Sequence, residues 1–328
     1  MVWPVHLNQL ENVINKTIQY EKALYVSDDW FMRAALVGDP TESGNSTIFT
    51  SQYIENIMIN HGMTGVETDY DGAGLSNWII DQFQDGILYY NYRGIYGDTG
   101  TSPSNQYNNG YETPFATVMT CGTGDFDNGN SQSEAFVKLG SVNNPEGAVA
   151  AVGLATTGTH TAYNNILDMG IYDGIFPKKL WYAGAAEANG DLAILATYPS
   201  NPGGATEAFI AWSSLIGDPA LHLWAGTPGK FAISHPSSIT LGTNMMEVTV
   251  NDDEGNPIFD YAADPDCGDF VLEEKDGGGG WISTASDYAK FIAHLDGTLF
   301  TSAFSDPFEF FIGNPSAPSM GGYYGRGV

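Results

Sequence analysis

The run Phe115 to Met119 constrains the fold more than any other stretch, because it stops abruptly on Thr120-Cys121-Gly122-Thr123-Gly124. A short run of apolar and β-branched residues predicts a strand buried on both faces, as in a parallel sheet covered by helices. The two glycines predict a tight turn. A cysteine at the carboxyl end of such a strand stands where open α/β sheets place ligands and chemistry. Cysteine is also among the residues most often buried for packing alone, so its neighbours decide between the two readings.

Around that run, apolar strands alternate with segments of helical spacing. A helix is predicted over about residues 8–22, with Leu10, Val13, Ile14, Thr17 and Ile18 on its inner face and Asn8 and Glu11 as a cap pair. A strand at 34–37 precedes a helix capped by Ser51, with Ile54, Ile57 and Met58 inward. A weak strand at 63–68 is followed by a helix capped by Ser76, carrying Trp78, Ile79, Ile80 and Phe83, and by a strand at 87–92. Beyond the cysteine, helices are predicted at 133–139, 164–176 and 207–216, and strands at 147–152 and 220–224. The alternation predicts an α/β fold: a mostly parallel sheet with helices on both faces. The carboxyl ends of strands 87–92 and 115–119 then lie side by side and form a cleft. The loop over 93–113 is long and almost without aliphatic residues, as functional loops often are.

The pattern changes after residue 226: residues 227–275 begin to alternate in the β manner, with too few strands to close a sandwich, and 276–328 form a Gly/Pro/aromatic-rich tail. Lys and Arg total 11 against 39 Asp and Glu, a formal charge of −28, which excludes nucleic acid as a partner. That balance suits a salty or extracellular setting, or a protein that binds cations. No run approaches the ~20 apolar residues of a membrane span, and Met1-Val2-Trp3-Pro4 does not open a signal peptide. Cys121 and Cys267 give neither a disulfide framework nor zinc-site spacing, and no HExxH-type pair occurs. Cys267 sits among Asp264, Asp266 and Asp269, a poor setting for a nucleophile. Asp125 and Asp127 lie in an oxygen-rich loop that suits Ca²⁺, with a solvated acidic turn as the plainer reading.

Taken together, Lys16 to Lys22, Trp30 to Asp39, Asn91-Tyr92-Arg93-Gly94, Pro114 to Phe126, Ser133 to Phe136, Gly147 to Gly153 and Leu215 to Pro219 resemble the gingipain-type cysteine peptidases. The resemblance covers roughly residues 1–226 and implies a caspase-like α/β fold and an extracellular or cell-surface cysteine endopeptidase acting on protein or peptide, with no cofactor required. It implies that Cys121 is the nucleophile and that backbone N–H groups near Gly97 and Cys121 hold the oxyanion. The family's His-Gly pair, however, is replaced by Ile95-Tyr96-Gly97. Tyr96 or Asp98 at that turn, or His160 after the next strand, then stands as substitute for the base; otherwise the chain is a catalytically silent homologue serving as a binding or surface module. His160 and Tyr163 become walls of the substrate pocket by the same resemblance, although an ordinary solvated loop histidine is the plainer reading of His160. Residues 227–275 resemble part of an immunoglobulin-like module, and Gly278 to Phe291 resembles a fragment of β-lactamase-type serine hydrolases without its nucleophile motif. Family strands ahead of residue 8 are not matched, which predicts an exposed sheet edge and lowered stability of the free chain.

Overall fold

The computed structural model describes residues 7–27, 29–71, 73–95, 102–127, 131–229, 232–238, 249–252 and 255–256. The chain divides after Pro228 into two units. The first is built on strands β1 (Arg33–Gly38), β2 (Gly65–Asp69), β3 (Tyr89–Arg93), β4 (Phe115–Met119), β7 (Ala150–Leu154) and β8 (Ser213–Ile216). A short hairpin, β5 (Gly140–Ser141) with β6 (Asn144–Pro145), lies outside that sheet. The sheet order is β2-β1-β3-β4-β7-β8. All pairings are parallel except β7 with β8. The helices are α1 (Leu7–Lys22), α2 (Ser46–His61), α3 (Leu75–Gln84), α4 (Gln132–Lys138), α5 (Thr161–Ile175), α6 (Ala183–Thr197) and α7 (Ala205–Trp212).

Strand side chains alternate between two cores, as a sheet covered on both faces requires. Leu36, Tyr89, Phe115, Met119 and Val152 face one side, with Ile54 and Met58 of α2 and Leu167 and Ile171 of α5. Val37, Tyr90, Tyr92, Ala116 and Val118 face the other, with Ile79 and Phe83 of α3 and Phe136 of α4. The expected α/β architecture is therefore present.

Several expectations need correction. Ser51 lies in the middle of α2, buried, and donates to Val37 O (3.1 Å); the helix begins five residues earlier, after Asn45. Helix α3 starts after Gly74 rather than at Ser76. Helix α4 is capped by Ser131, whose hydroxyl accepts from Glu134 N–H while the Glu134 carboxylate accepts from Ser131 N–H, a reciprocal box. The predicted helix 207–216 breaks at Trp212, and Ser213–Ile216 is instead the antiparallel edge strand β8. No strand forms at 220–224; His222 makes only an isolated bridge with Tyr182. Helix α6 lacked a sequence signal: its Ala- and Gly-rich segment has no apolar stripe and packs on α5 through Gly190 and Gly170.

The second unit has a two-stranded antiparallel ladder, β9 (Ala232–Ser234) with β10 (Thr249–Asn251). The rest of the expected immunoglobulin-like module, Cys267 and the whole tail over 276–328 lie outside the described residues.

Helix α1 buries a different face from the one predicted. Leu10, Ile14 and Ile18 are 46%, 49% and 42% exposed, whereas Asn12, Lys16 and Tyr20, spaced by four, are buried. The Lys16 ammonium donates to the carbonyls of Val137, Leu139, Glu146 and Ala148, pinning α1 to α4 and to the segment before β7. Burial pushes its pKa down to about 7, with Glu146 pulling the other way. In the folded protein Lys16 loses its proton near pH 7, but in the unfolded chain only near 10.5, so the unfolded state holds more protons in between and stability rises with pH across that window. Replacement by Met removes a desolvated charge but orphans four acceptors, and the second effect is larger. Urea denaturation of Lys16→Met is expected to show a loss of roughly 2–4 kcal/mol at pH 7 and no gain in stability between pH 7 and about 9.5.

Candidate functional site

The register pairs Arg93 at the end of β3 with Met119 at the end of β4, so the two carboxyl ends are adjacent, as expected. Cys121 lies two residues beyond β4. It is a free, half-buried thiol. The turn after it is laced to the chain leaving β7: Gly122 N–H donates to Thr156 O (2.7 Å) and Gly124 N–H to Leu154 O (3.0 Å). Gly122 has a φ of +71°, which favours glycine. A Cβ on Gly124 would lie 2.6 Å from the Gly153 carbonyl carbon, so the crossing with β7 needs glycine there as well.

Two groups on Cys121 are chemically informative. Its Sγ lies 2.9 Å from Thr159 Oγ1. Among the described residues its backbone N–H has no hydrogen-bond partner, which leaves a donor beside the sulfur for a developing oxyanion.

Beneath the two strand ends lies a polar interior that the sequence reading did not assemble. Arg93 is 1% exposed. Its Nε donates to Asn165 Oδ1 (2.6 Å), one terminal nitrogen to Gly94 O (3.2 Å) and Met119 O (3.0 Å), and the other to Thr161 O (3.2 Å). Burial lowers its pKa to about 10, partly offset by Asp168 and Cys121, so it stays a cation at neutral pH. Asn91 Nδ2 donates to both oxygens of Asp168 (2.7 and 2.9 Å) and to Thr117 Oγ1 (2.7 Å). Thr117 Oγ1 also meets the Tyr172 hydroxyl at 3.0 Å. Asp168 is fully buried, and that burial raises its pKa to about 7 against the opposing pull of Asn91 and Arg93. The sequence carried one signal for this network: Arg93 and Asp168 are charged residues placed at a strand end and inside a predicted helix, where solvation alone does not account for them.

His160 is the N-cap of α5, and its Nδ1 accepts from Ala162 N–H at 3.2 Å; no hydrogen bond joins it to Cys121. Tyr163 is buried, stacked on Tyr198 (4.7 Å) and Phe209 (4.5 Å), with His160 at its edge (6.2 Å). Its ring faces are thus taken up by packing. Tyr96, Gly97 and Asp98 lie outside the described residues. Asp127 N–H reaches Asp125 Oδ1 at 3.4 Å, and no group of three or more metal-ligating side chains gathers among the described residues. Likewise, no described helix is long and apolar enough to cross a membrane.

Comparisons with known proteins bear on the family and the fold. A sequence model described as "Peptidase family C25" matches residues 5–224. The chain is 26% identical over 259 residues to Gingipain R2 of Porphyromonas gingivalis, covering 73% of this chain and 34% of that protein. It is also 26% identical over 262 residues to Gingipain R1 of the same organism, covering 74% of this chain and 25% of that protein. The chain thus spans about a third or less of the curated relatives it matches. The crystal structure of the Arg specific cysteine proteinase gingipain R superposes with a TM-score of 0.64 at 23% identity, over 74% of this chain and 59% of that one. A chain of the complex of Porphyromonas gingivalis RgpB pro- and mature domains gives 0.63 at 24% identity, over 74% of this chain and 60% of that one. The sheet and its helices therefore have the caspase-like α/β fold of those proteinases.

The buried Asp168 generates a pH prediction. Folded, it keeps its proton up to about pH 7, whereas unfolded it releases it near 3.8. The folded state binds the extra proton between those values, so stability falls as pH rises through them. Asp191, raised to about 7 by burial and by Glu187, acts in the same direction. Asp168→Asn is expected to lose part of the fall in unfolding free energy between pH 4 and 7, with Asp191 retaining the remainder; a curve identical to wild type contradicts the assignment.

Proposed function

The chain belongs to peptidase family C25, and from that premise we propose that it is a cysteine endopeptidase whose nucleophile is Cys121. One observation carries the reading: a free, half-exposed thiol at the carboxyl end of β4, with its own N–H unengaged among the described residues. In this reading the Cys121 proton passes to a base, and the thiolate attacks the scissile carbonyl carbon. The tetrahedral oxyanion is received by the Cys121 N–H, together with the backbone at Gly97. Its collapse breaks the C–N bond, the base returns the proton to the leaving amine, and water hydrolyses the thioester. The base is His160, one residue beyond the Thr159 that touches the sulfur. To act, its ring gives up the Ala162 cap. His160 and Tyr163 border the substrate pocket, and Asp125 with Asp127 is the place for Ca²⁺ if one binds. The acidic composition and the family membership support an extracellular setting.

A second reading is favoured by a specific observation. The sulfur meets a hydroxyl rather than an imidazole, and Ile95-Tyr96 occupies the family's histidine turn. On that reading the chain binds peptides without cutting them.

Digestion of an unstructured protein such as casein separates the two. Wild type is expected to cleave it, Cys121→Ser to lose cleavage, and His160→Ala to fall by ~100-fold or more, the usual contribution of a general base. Absence of cleavage by wild type would establish the silent homologue. Full activity in His160→Ala would remove that residue as the base.

A further inference from the structure

We propose that Thr159 is a positioning residue: it presents its hydroxyl proton to Cys121 Sγ and holds the sulfur as a thiolate. The proposal rests on Cys121 as the nucleophile and adds the residue that orients and stabilises it. Thr159 Oγ1 is 2.9 Å from Sγ, and Asn164 Nδ2 is 3.1 Å from the same oxygen. An amide N–H only donates, so it occupies one lone pair of the hydroxyl and leaves the hydroxyl proton free to be given to sulfur. A hydrogen bond to an ionised acceptor is about twice as strong as a neutral one.

The orientation of Asn164 sets the direction of this chain. Its side chain is 3% exposed, and its Oδ1 has no partner among the described residues. With the amide turned over, Oδ1 would take the Thr159 proton, and sulfur would have to donate as a thiol. Thr159 and Asn164 are therefore matched to two proton arrangements, one for each state of the cysteine. The segment that carries them is fixed to the strand ends. Arg93 holds Thr161 O and Asn165 Oδ1 while it also holds Met119 O, two residues before the cysteine. Thr159 is thus delivered to the sulfur by the same clamp that positions β4.

The test uses the full chain and does not depend on turnover. Carbamidomethylation of Cys121 by iodoacetamide is followed at pH 7 by peptide mapping, with Cys267 as an internal reference. Thr159→Val keeps the shape and removes the hydroxyl; it is expected to slow Cys121 by about tenfold or more, the value of one charge-assisted hydrogen bond. Thr159→Ser keeps the hydroxyl and is expected to stay within about twofold of wild type, with Cys267 unchanged in both. Wild-type reactivity in Thr159→Val would overturn the proposal, as would equal slowing in Thr159→Ser. The peptidase reading fails separately. A wild type that shows this dependence on Thr159 but never cleaves protein retains the proposal and loses the peptidase. A chain that cleaves protein and alkylates alike in all three forms retains the peptidase and loses the proposal.

Discussion

The buried guanidinium of Arg93 is the interaction on which the rest of the site depends. Burying a cation is costly unless its donors are satisfied, and here the planar fork meets Gly94 O and Met119 O at two strand ends and Thr161 O and Asn165 Oδ1 on α5. A lysine could not reach that set with one nitrogen. The fork ties β3, β4 and the start of α5 into one unit. Cys121 extends from one of those strands, and Thr159 precedes that helix. Their separation of 2.9 Å is inherited from backbone held elsewhere.

A nucleophile on this scaffold needs a turn that exposes the thiol, donors for an oxyanion and a group that favours the thiolate. The turn is held by Gly122 and Gly124, whose N–H groups are both spent on the chain leaving β7. Among the described residues the Cys121 N–H has no partner, so it is available as a donor beside the sulfur. The third element departs from the family pattern. Ile95-Tyr96-Gly97 stands where a His-Gly pair is expected, and the polar atom that meets the sulfur is the Thr159 hydroxyl. Position and proton chemistry are thus carried by different parts of the chain: the first by the sheet, the second by the loop between β7 and α5.

Strands β1, β3, β4 and β7 were legible because apolar runs such as Phe115 to Met119 are buried on both faces, which leaves a continuous signal, whereas the half-buried edge strand β8 read as the end of a helix and the run 220–224 forms no strand. The cysteine was legible for the same reason as β4, since it follows the Phe115 to Met119 run. Helix starts were less so: the serines at 51 and 76 read as caps, yet the caps are Asn45 and Gly74, because a serine hydroxyl inside a helix can equally satisfy a buried carbonyl, as Ser51 does with Val37. On α1 the apolar stripe was misleading, since the buried face is organised by Lys16 and its four carbonyls rather than by leucine and isoleucine. The Arg93, Asn91 and Asp168 network escaped because its members are brought together by a parallel crossover, and periodicity carries no information about partners 72 or 77 positions apart. Thr159 escaped for the same reason: nothing in Thr159-His160-Thr161 distinguishes the hydroxyl at the sulfur from the one two residues later.

The central claim, that Cys121 is a peptidase nucleophile, is tested most directly by mapping the adduct of a peptidyl acyloxymethyl ketone. This reagent transfers its peptidyl ketone to a thiolate at a peptide-binding site and releases a carboxylate. The account predicts a single adduct on Cys121 by intact mass and peptide mapping, absent from Cys121→Ala. No adduct on wild type, or equal modification of Cys121 and Cys267, would contradict it.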